Sequence, residues 1–226
     1  SPLYDTGLFL GEAQDPMRKD VLELLFRQFD REGLRLIPTL DFCAPLPELE
    51  ALLQDGGPSY YRMDASHGGI RCIGRHGSPW HSNSRTASIS FTSGGPTIST
   101  TFAGSEIGGR GRSVYYNILD PRVQEAMLNV VREVATLYGR HPSFEGIGIQ
   151  LSPDGYAMLP GPDWGLDNVT IARFEEEVGI QVQASGPNIF ASRADFLEAN
   201  CPQLWLDWRT REIHRFYAKV QQEVNL

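Results

Sequence analysis

Over residues 138–156 the sequence passes from a helix-forming pattern to a short apolar run and then to a polar segment, and this order strongly constrains the fold. The helix is predicted to begin at Asp120-Pro121, an N-cap acceptor followed by proline at the first helical position. Residues 144–151 contain two glycines and no charge after Glu145, which predicts a strand covered on both faces. In α/β proteins the exit of such a strand is where chemistry takes place.

The same order of elements occurs near the start of the chain. Apolar residues at helical spacing predict a helix over residues 16–32, and Gly33 supplies its left-handed end. A short apolar strand over residues 34–42 and a small helix over residues 47–53 follow. A first strand near residues 7–10 would extend the pattern. Repeated helix–strand units favour parallel strands joined by helices.

Residues 55–114 differ from the rest of the chain, because Ser, Gly, Thr, Arg and His dominate there. Alternation over residues 87–93 and 97–102, on either side of Gly94-Gly95-Pro96, predicts a β-hairpin. A segment this long without a packed pattern is typical of a functional insertion. We interpret it as an insertion that lies over the strand exits of a single domain spanning residues 1–226.

The later part of the chain predicts two further helices. One follows Asp167 and ends at Gly179, and the other begins at Pro202. Trp205 and Trp208 lie on one face of the last helix and are assigned to core packing.

Three or four strands are recognisable, whereas a closed (β/α)8 barrel has eight and typically about 250 residues. The predicted fold class is therefore α/β, a (β/α)8 TIM-barrel-like fold that is a partial barrel or its N-terminal portion, with a loop and β-hairpin insertion. An open sheet is the alternative.

Composition limits the ligands and partners. The net charge of -8 argues against binding to nucleic acid or to an anionic membrane surface, both of which need clustered Lys and Arg. No apolar run approaches the roughly 20 residues that span a bilayer. The three cysteines, at unrelated spacings, predict neither a disulfide framework nor a metal site. An uncharged or cationic ligand is expected, with no nucleic acid and no membrane.

Three stretches of the chain carry a family resemblance. The order Tyr116-Asn117, then residues 130–133, then Tyr-Gly-Arg-His-Pro-Ser-Phe-Glu-Gly-Ile over residues 138–147 resembles the third helix and fourth strand of clan A glycoside hydrolases. It is most similar to the family-42 β-galactosidase type and to the family-10-like hypothetical glycosyl hydrolases. Residues 36–47 resemble an earlier barrel strand with a proline-rich exit, and residues 204–209 resemble the aromatic-rich helix before the fifth strand.

The resemblance implies a (β/α)8 barrel that hydrolyses glycosidic bonds, and a secreted or periplasmic protein rather than a cytoplasmic one. Those hydrolases place an Asn-Glu pair at the fourth strand exit, where this chain has Leu151 and Ser152. Their second carboxylate lies on a seventh strand, which is not recognised here. Further domains of a longer polypeptide are therefore expected partners.

Glycoside hydrolysis uses one carboxyl group as an acid and a second as nucleophile or base. Asp41 and Asp154 are the acids at recognised strand exits and are the predicted catalytic residues. Each also has a structural interpretation. Asp154 in Ser-Pro-Asp-Gly fits a type I turn, and Asp41 fits a cap of the following helix.

Polar and aromatic residues near the strand exits are predicted to bind a neutral or weakly charged glycan, because aromatic faces stack on pyranose rings. They are Gln150, Tyr156, Trp164, Tyr116, Asn117 and Trp80. The aromatic members would alternatively fasten the insertion to the body of the domain. No cofactor is predicted, and His67, His76 and His81 are too poorly spaced for a metal site.

The predicted function is hydrolysis of O-glycosyl bonds by carboxylate acid/base chemistry. The alternative is a non-catalytic saccharide-binding or protein-binding member of the same fold that lacks the catalytic pair. A third interpretation is a structural domain whose insertion packs against another subunit.

Overall fold

The chain folds into a mixed α/β structure. The computed structural model describes residues 20–43, 45–54, 70–77, 86–92, 95–101, 116–151 and 155–224. Within them, the helices are α1 (Val21–Glu32), α2 (Pro47–Gln54), α3 (Pro121–Tyr138), α4 (Asn168–Val178), α5 (Ile189–Asn200) and α6 (Pro202–Val224). The strands are β1 (Thr39–Leu40), β2 (Thr86–Thr92), β3 (Gly95–Thr101) and β4 (Gly148–Ile149).

Strands β1 and β4 pair in parallel, with Thr39 opposite Gly148 and Leu40 opposite Ile149. The N–H of Gly148 donates to the carbonyl of Pro38 at 2.8 Å, and a bridge between Leu36 and Phe144 begins the pairing. The prediction that the two helix–strand units contribute parallel strands is confirmed. The described strands do not show a barrel, but both carboxyl ends of this small sheet lie at one edge.

The predicted β-hairpin is also confirmed. Strands β2 and β3 pair antiparallel from Thr86 opposite Thr101 to Thr92 opposite Gly95, and they form a sheet of their own. The single-domain assignment over residues 1–226 and the position of the insertion above the strand exits stay predictions.

Helix α1 begins later than predicted. Asp20 has extended backbone dihedrals (φ -72°, ψ 96°), and its carboxylate accepts the N–H of Glu23 at 2.9 Å. The predicted start at residue 16 is therefore wrong, because Asp20 caps this helix. Gly33 ends α1 with φ 65°, the left-handed conformation that favours glycine, as predicted.

The other predicted helix ends are confirmed because they depend on local hydrogen bonds. Asp120 accepts the N–H of Arg122 at the start of α3. Asp167 accepts the N–H groups of Val169 and Thr170 at the start of α4. Helices α2 and α6 begin at Pro47 and Pro202, where proline needs no hydrogen-bond acceptor.

Helix α5 was not predicted from the sequence. Its buried residues are Arg193, Ala194 and Leu197, while Ile189 is exposed, so its apolar residues do not mark one helical face. Asn188 caps it by accepting the N–H of Ala191.

Two hydrophobic clusters form the core. The first joins α1, β1, α3 and α6 and includes Phe26, Phe42, Met127 and Phe216. The second lies between α4, α5 and α6 and includes Phe174, Trp205 and Trp208. The indole rings of Trp205 and Trp208 stack at 5.5 Å, which confirms their assignment to the core. Among the described residues, no helix combines the length and apolar character needed to cross a membrane.

Among the described residues, the helices cover one face of the parallel sheet, and the strand covered on both faces stays a prediction. Leu40 and Phe42 are buried against the helices, whereas Ile37 is 54% exposed. On β4, Gly148 and Ile149 are half-buried and Leu151 is 62% exposed. The helices contact alternate side chains because side chains in a strand point to opposite faces.

Candidate functional site

Asp41 and Gln150 follow the carboxyl ends of β1 and β4. Leu40 lies opposite Ile149, so the next residues in register, Asp41 and Gln150, are neighbours. The N–H of Gln150 donates to the carbonyl of Leu40 at 2.9 Å, which continues the parallel pairing to this point. The parallel sheet thus brings together two residues that the sequence predicted separately.

The carboxyl group of Asp41 is incompletely satisfied. The residue is half-buried, and its Oδ1 is buried without a hydrogen-bond partner among the described residues. Gln150 is exposed. Buried polar atoms normally have partners, so this oxygen is free to accept a hydrogen bond. No helix-capping bond from Asp41 is present in the described part of the chain.

Tyr156 joins the same strand exit. Its N–H donates to the carbonyl of Phe42 at 2.9 Å, and its ring meets the edge of Tyr116 at 4.8 Å between centroids. Tyr116 and Tyr156 are each 2% exposed. Their rings therefore form the floor beneath the exit and offer no open face on which a pyranose ring stacks.

Glu50 is a site residue that sequence reasoning missed. The hydroxyl of Tyr116 donates to Glu50 Oε1 at 2.5 Å and accepts the N–H of Leu46 at 3.1 Å. Nη2 of Arg71 lies 3.5 Å from the same Glu50 oxygen, and its guanidinium lies 5.8 Å from the Tyr116 ring centroid. In the sequence, Glu50 has the pattern of a solvated acid in the first turn of a helix. The available signal was the short link from β1 to α2, which keeps the start of α2 near the strand exit.

Both tyrosines of the floor remain protonated at physiological pH. Burial, together with the hydrogen bond and the charge of Glu50, raises the pKa of Tyr116 far above its usual range. Burial also raises the pKa of Tyr156, and the nearby groups that add to this rise include Tyr116, Asp41 and Glu50. Tyr116 is consequently a permanent donor to Glu50.

Two other predicted site residues are placed in structural roles. Asn117 is 1% exposed, and its amide donates to Asp167 Oδ2 at 3.1 Å and to Thr170 Oγ1 at 2.8 Å. It ties the turn before α3 to the start of α4. Trp164 forms a bridge with Gly74, and a Cβ added at Gly74 would lie 2.7 Å from the indole ring. Glycine at that position permits the close approach of the ring.

The remaining predicted site residues, Asp154 and Trp80, lie outside the described residues, as do His67 and His81. The pairing of Asp41 with Asp154 stays a prediction. Within the described ranges, no group of three or more His, Cys, Asp and Glu residues is arranged to hold a metal ion. Burial raises the pKa of Cys72 to about 12, so its thiol is unreactive at neutral pH.

The candidate site is thus an acidic, polar strand exit above a buried tyrosine floor. It combines Asp41 and Gln150 at the sheet edge with Glu50, which Tyr116 and Arg71 hold in place. Carboxylate and amide groups of this kind bind hydroxyl groups of a ligand. No protein-family model, curated protein or solved structure matches this chain. The function is therefore argued from the geometry of the site and from the motif order of the sequence.

Proposed function

We propose that this chain is a carbohydrate-active protein of the glycoside hydrolase type that holds a neutral or weakly charged glycan at the carboxyl ends of β1 and β4. One observation carries the proposal. Parallel pairing places Asp41 beside Gln150, and Asp41 Oδ1 is buried without a partner among the described residues. An acid in this state is available to a ligand rather than committed to the fold.

The proposed fold is a partial (β/α)8 barrel. Its support is the repeated helix–strand unit, the parallel β1–β4 pair, and helices that cover one face of that pair. In barrels and open parallel sheets alike, ligands bind where the strands end in their carboxyl direction. Such a fold hosts many activities, so the function is argued from the site residues.

The chemistry of the exit suits a hydroxylated ligand. The exposed amide of Gln150 donates and accepts hydrogen bonds, and Asp41 accepts them while ionised or donates one while protonated. In hydrolysis, Asp41 would act as one of the two carboxyl groups that the reaction requires. No metal or cofactor is part of the proposal.

The test uses the full chain, a panel of aryl glycosides and neutral oligosaccharides, and the variant Asp41→Asn. Turnover of at least one glycoside is expected, and loss of the carboxyl group should reduce it about 10²- to 10⁴-fold. Asp207→Asn is the matched control, because Asp207 is exposed on α6 and accepts a hydrogen bond from Gln203. Turnover that is equal in Asp41→Asn and the wild type would remove Asp41 from the mechanism.

A non-catalytic saccharide-binding protein is the second candidate, and Leu151 favours it. The resemblance places an Asn-Glu pair at the fourth strand exit, whereas this chain has Leu151 and Ser152 there, and Leu151 is 62% exposed. Glycan binding without turnover in the same panel would decide for this candidate. A chain that neither binds nor cleaves any member of the panel would contradict both.

A further inference from the structure

Glu50 has one oxygen fixed by the protein and one oxygen that is not. Oε1 accepts the hydroxyl hydrogen of Tyr116 at 2.5 Å and lies 3.5 Å from Nη2 of Arg71. Oε2 has no hydrogen bond to a described residue and is not among the buried polar atoms that lack partners. The Glu50 side chain is 17% exposed. A carboxylate held in this way presents its free oxygen in one orientation.

The helix that carries Glu50 is itself anchored at the strand exit. The N–H of Glu50 donates to the carbonyl of Leu46 at 3.0 Å, and the N–H of Leu46 donates to the Tyr116 hydroxyl. Leu49 is 1% exposed and packs in the first hydrophobic cluster. The first turn of α2 is therefore rigid, and a ligand that binds Glu50 loses little free energy in ordering it.

Tyr156 connects Glu50 with Asp41. Its ring touches Tyr116, the residue that holds Glu50, and its N–H bonds to the carbonyl of Phe42, the residue after Asp41. Burial raises the pKa of Tyr156, and the negative charges of Asp41 and Glu50 both add to the rise. The charges of Asp41 and Glu50 therefore both act on Tyr156 at the strand exit. Among the residues that the structure describes, the cation in contact with these carboxylates is Arg71, which is paired with Glu50.

We propose that Glu50 is a ligand-contacting residue of this exit and that it selects neutral glycans against glycans that carry uronic acids. The inference rests on the proposed function and names its substrate class. Glu50 Oε2 accepts a sugar hydroxyl, and Tyr116 and Arg71 position the carboxylate. A uronate at the same place meets two carboxylates and one already paired guanidinium, so it is repelled.

The test compares the wild-type full chain with Glu50→Gln by titration calorimetry. The neutral probes are cellotetraose, xylotetraose and β-1,4-galactotetraose, and the charged probe is tetragalacturonate. Binding of at least one neutral probe and no binding of tetragalacturonate is expected. Glu50→Gln should reduce the affinity for the neutral probe about tenfold, since a hydrogen bond to a charged group contributes a free energy of this size. It should also reduce the difference between the affinity for the neutral probe and the affinity for tetragalacturonate.

Glu48→Gln is the matched control, because Glu48 lies on the same helix but contacts Asn129 of α3. It should bind like the wild type. Tyr116→Phe removes the donor to Glu50 and keeps the charge. It should weaken but not abolish binding of the neutral probe, whereas a general loss of structure would abolish it, and tetragalacturonate should stay excluded.

The outcomes separate the two proposals. A neutral probe that binds equally well to the wild type and to Glu50→Gln overturns this inference alone. Binding of tetragalacturonate at the affinity of the neutral probes also overturns it. A correctly folded wild-type chain that binds none of the probes and cleaves no glycoside overturns the proposed function, and this inference with it.

Discussion

His141 lies between two carboxylates at the joint between α1 and the segment that follows α3. Its Nδ1 is 2.6 Å from Asp30 Oδ2, and its Nε2 is 2.9 Å from Glu23 Oε2. Its ring stacks on Phe26 at 5.1 Å, and Asp30 also accepts the N–H of Ser143. Burial by itself would lower the pKa of His141, but the hydrogen bonds to Asp30 and Glu23 raise it above the usual value of 6.5.

This arrangement predicts a pH window for stability. Because the folded-state pKa of His141 is raised, its contribution is complete below pH 6.5 and is lost as the pH rises through the folded-state pKa. The pKa values of Glu23 and Asp30 are lowered, so their contribution is present above their usual values of 4.5 and 3.8 and is lost on acidification. The joint should be most stable between about pH 5 and 6.5.

The variant His141→Gln tests the window. Thermal unfolding of the wild type should occur a few degrees lower at pH 8 than at pH 6, and the variant should lose most of this difference. His214→Gln is the matched control, because His214 is exposed on α6. An equal pH dependence in the wild type and His141→Gln would assign the effect to other groups.

At the scale of elements, α6 holds the loop after β4 through side-chain donors. Trp205 Nε1–H donates to the carbonyl of Pro162 at 3.0 Å, and Arg209 donates to the carbonyls of Gly161 and Pro160 at 2.9 and 2.6 Å. The Tyr217 hydroxyl donates to the carbonyl of Ala157. The loop that leads from Tyr156 is thus attached to a helix rather than to the sheet.

Arg209 should be the most sensitive of these contacts. It is 1% exposed and its guanidinium lies 5.1 Å from the Trp205 ring centroid. Burial lowers its pKa to about 10, so it is still charged at neutral pH. Arg209→Met keeps the apolar stem but removes the donor to the Pro160 carbonyl and one of the two donors to the Gly161 carbonyl, which keeps the N–H of Trp164. It should lower the free energy of unfolding by about 2 kcal/mol. Urea unfolding at pH 7 measures this.

Arg211→Met provides the comparison for Arg209→Met. Arg211 is 44% exposed and lies 3.8 Å from Glu177, so its removal should change the free energy of unfolding by less than about 0.5 kcal/mol. Similar effects of the two variants would show that the buried hydrogen bonds of Arg209 do not add to the free energy of unfolding.

At the scale of the whole molecule, stability is distributed unevenly over the described residues. Helix α3 buries side chains along its length, from Val123 to Tyr138, and it contacts α6 through the first hydrophobic cluster and the ion pair of Arg132 with Glu223 at 2.9 Å. Of the residues of α1, only Phe26 is buried, and Leu24 is 64% exposed. Opening of α3 therefore exposes more apolar surface than opening of α1.

Hydrogen exchange should report this difference. The central amides of α3 should exchange at least about tenfold more slowly than those of α1 at neutral pH, because their opening exposes more apolar surface. Mass spectrometry of peptides from the two helices makes the measurement. Equal protection of α1 would mean that its exposed apolar side is covered in solution.

Features that depend on neighbours along the chain were predictable from the sequence. Asp120, Asp167 and Gly179 begin and end helices through hydrogen bonds and dihedral angles that involve only a few adjacent residues. At α1 the local pattern was misleading, because Pro16 after Asp15 predicted a start at residue 16, whereas Asp20 is the cap of the helix. Helix α5 was missed because Arg193 is buried where periodicity requires an apolar residue.

The sequence by itself determined the starts of α2, α3, α4 and α6, the parallel relation of the two helix–strand units, the hairpin and the place of Asp41 and Gln150 after strands. Only the tertiary structure decided that Tyr116 and Arg71 meet Glu50, that Asn117 belongs to a buried network, and that the sheet is covered on one face by the described residues. The reason is the range of the contacts. Caps and turns involve residues a few positions apart, whereas Tyr116 reaches Glu50 across 66 positions, and no local pattern records such a pair.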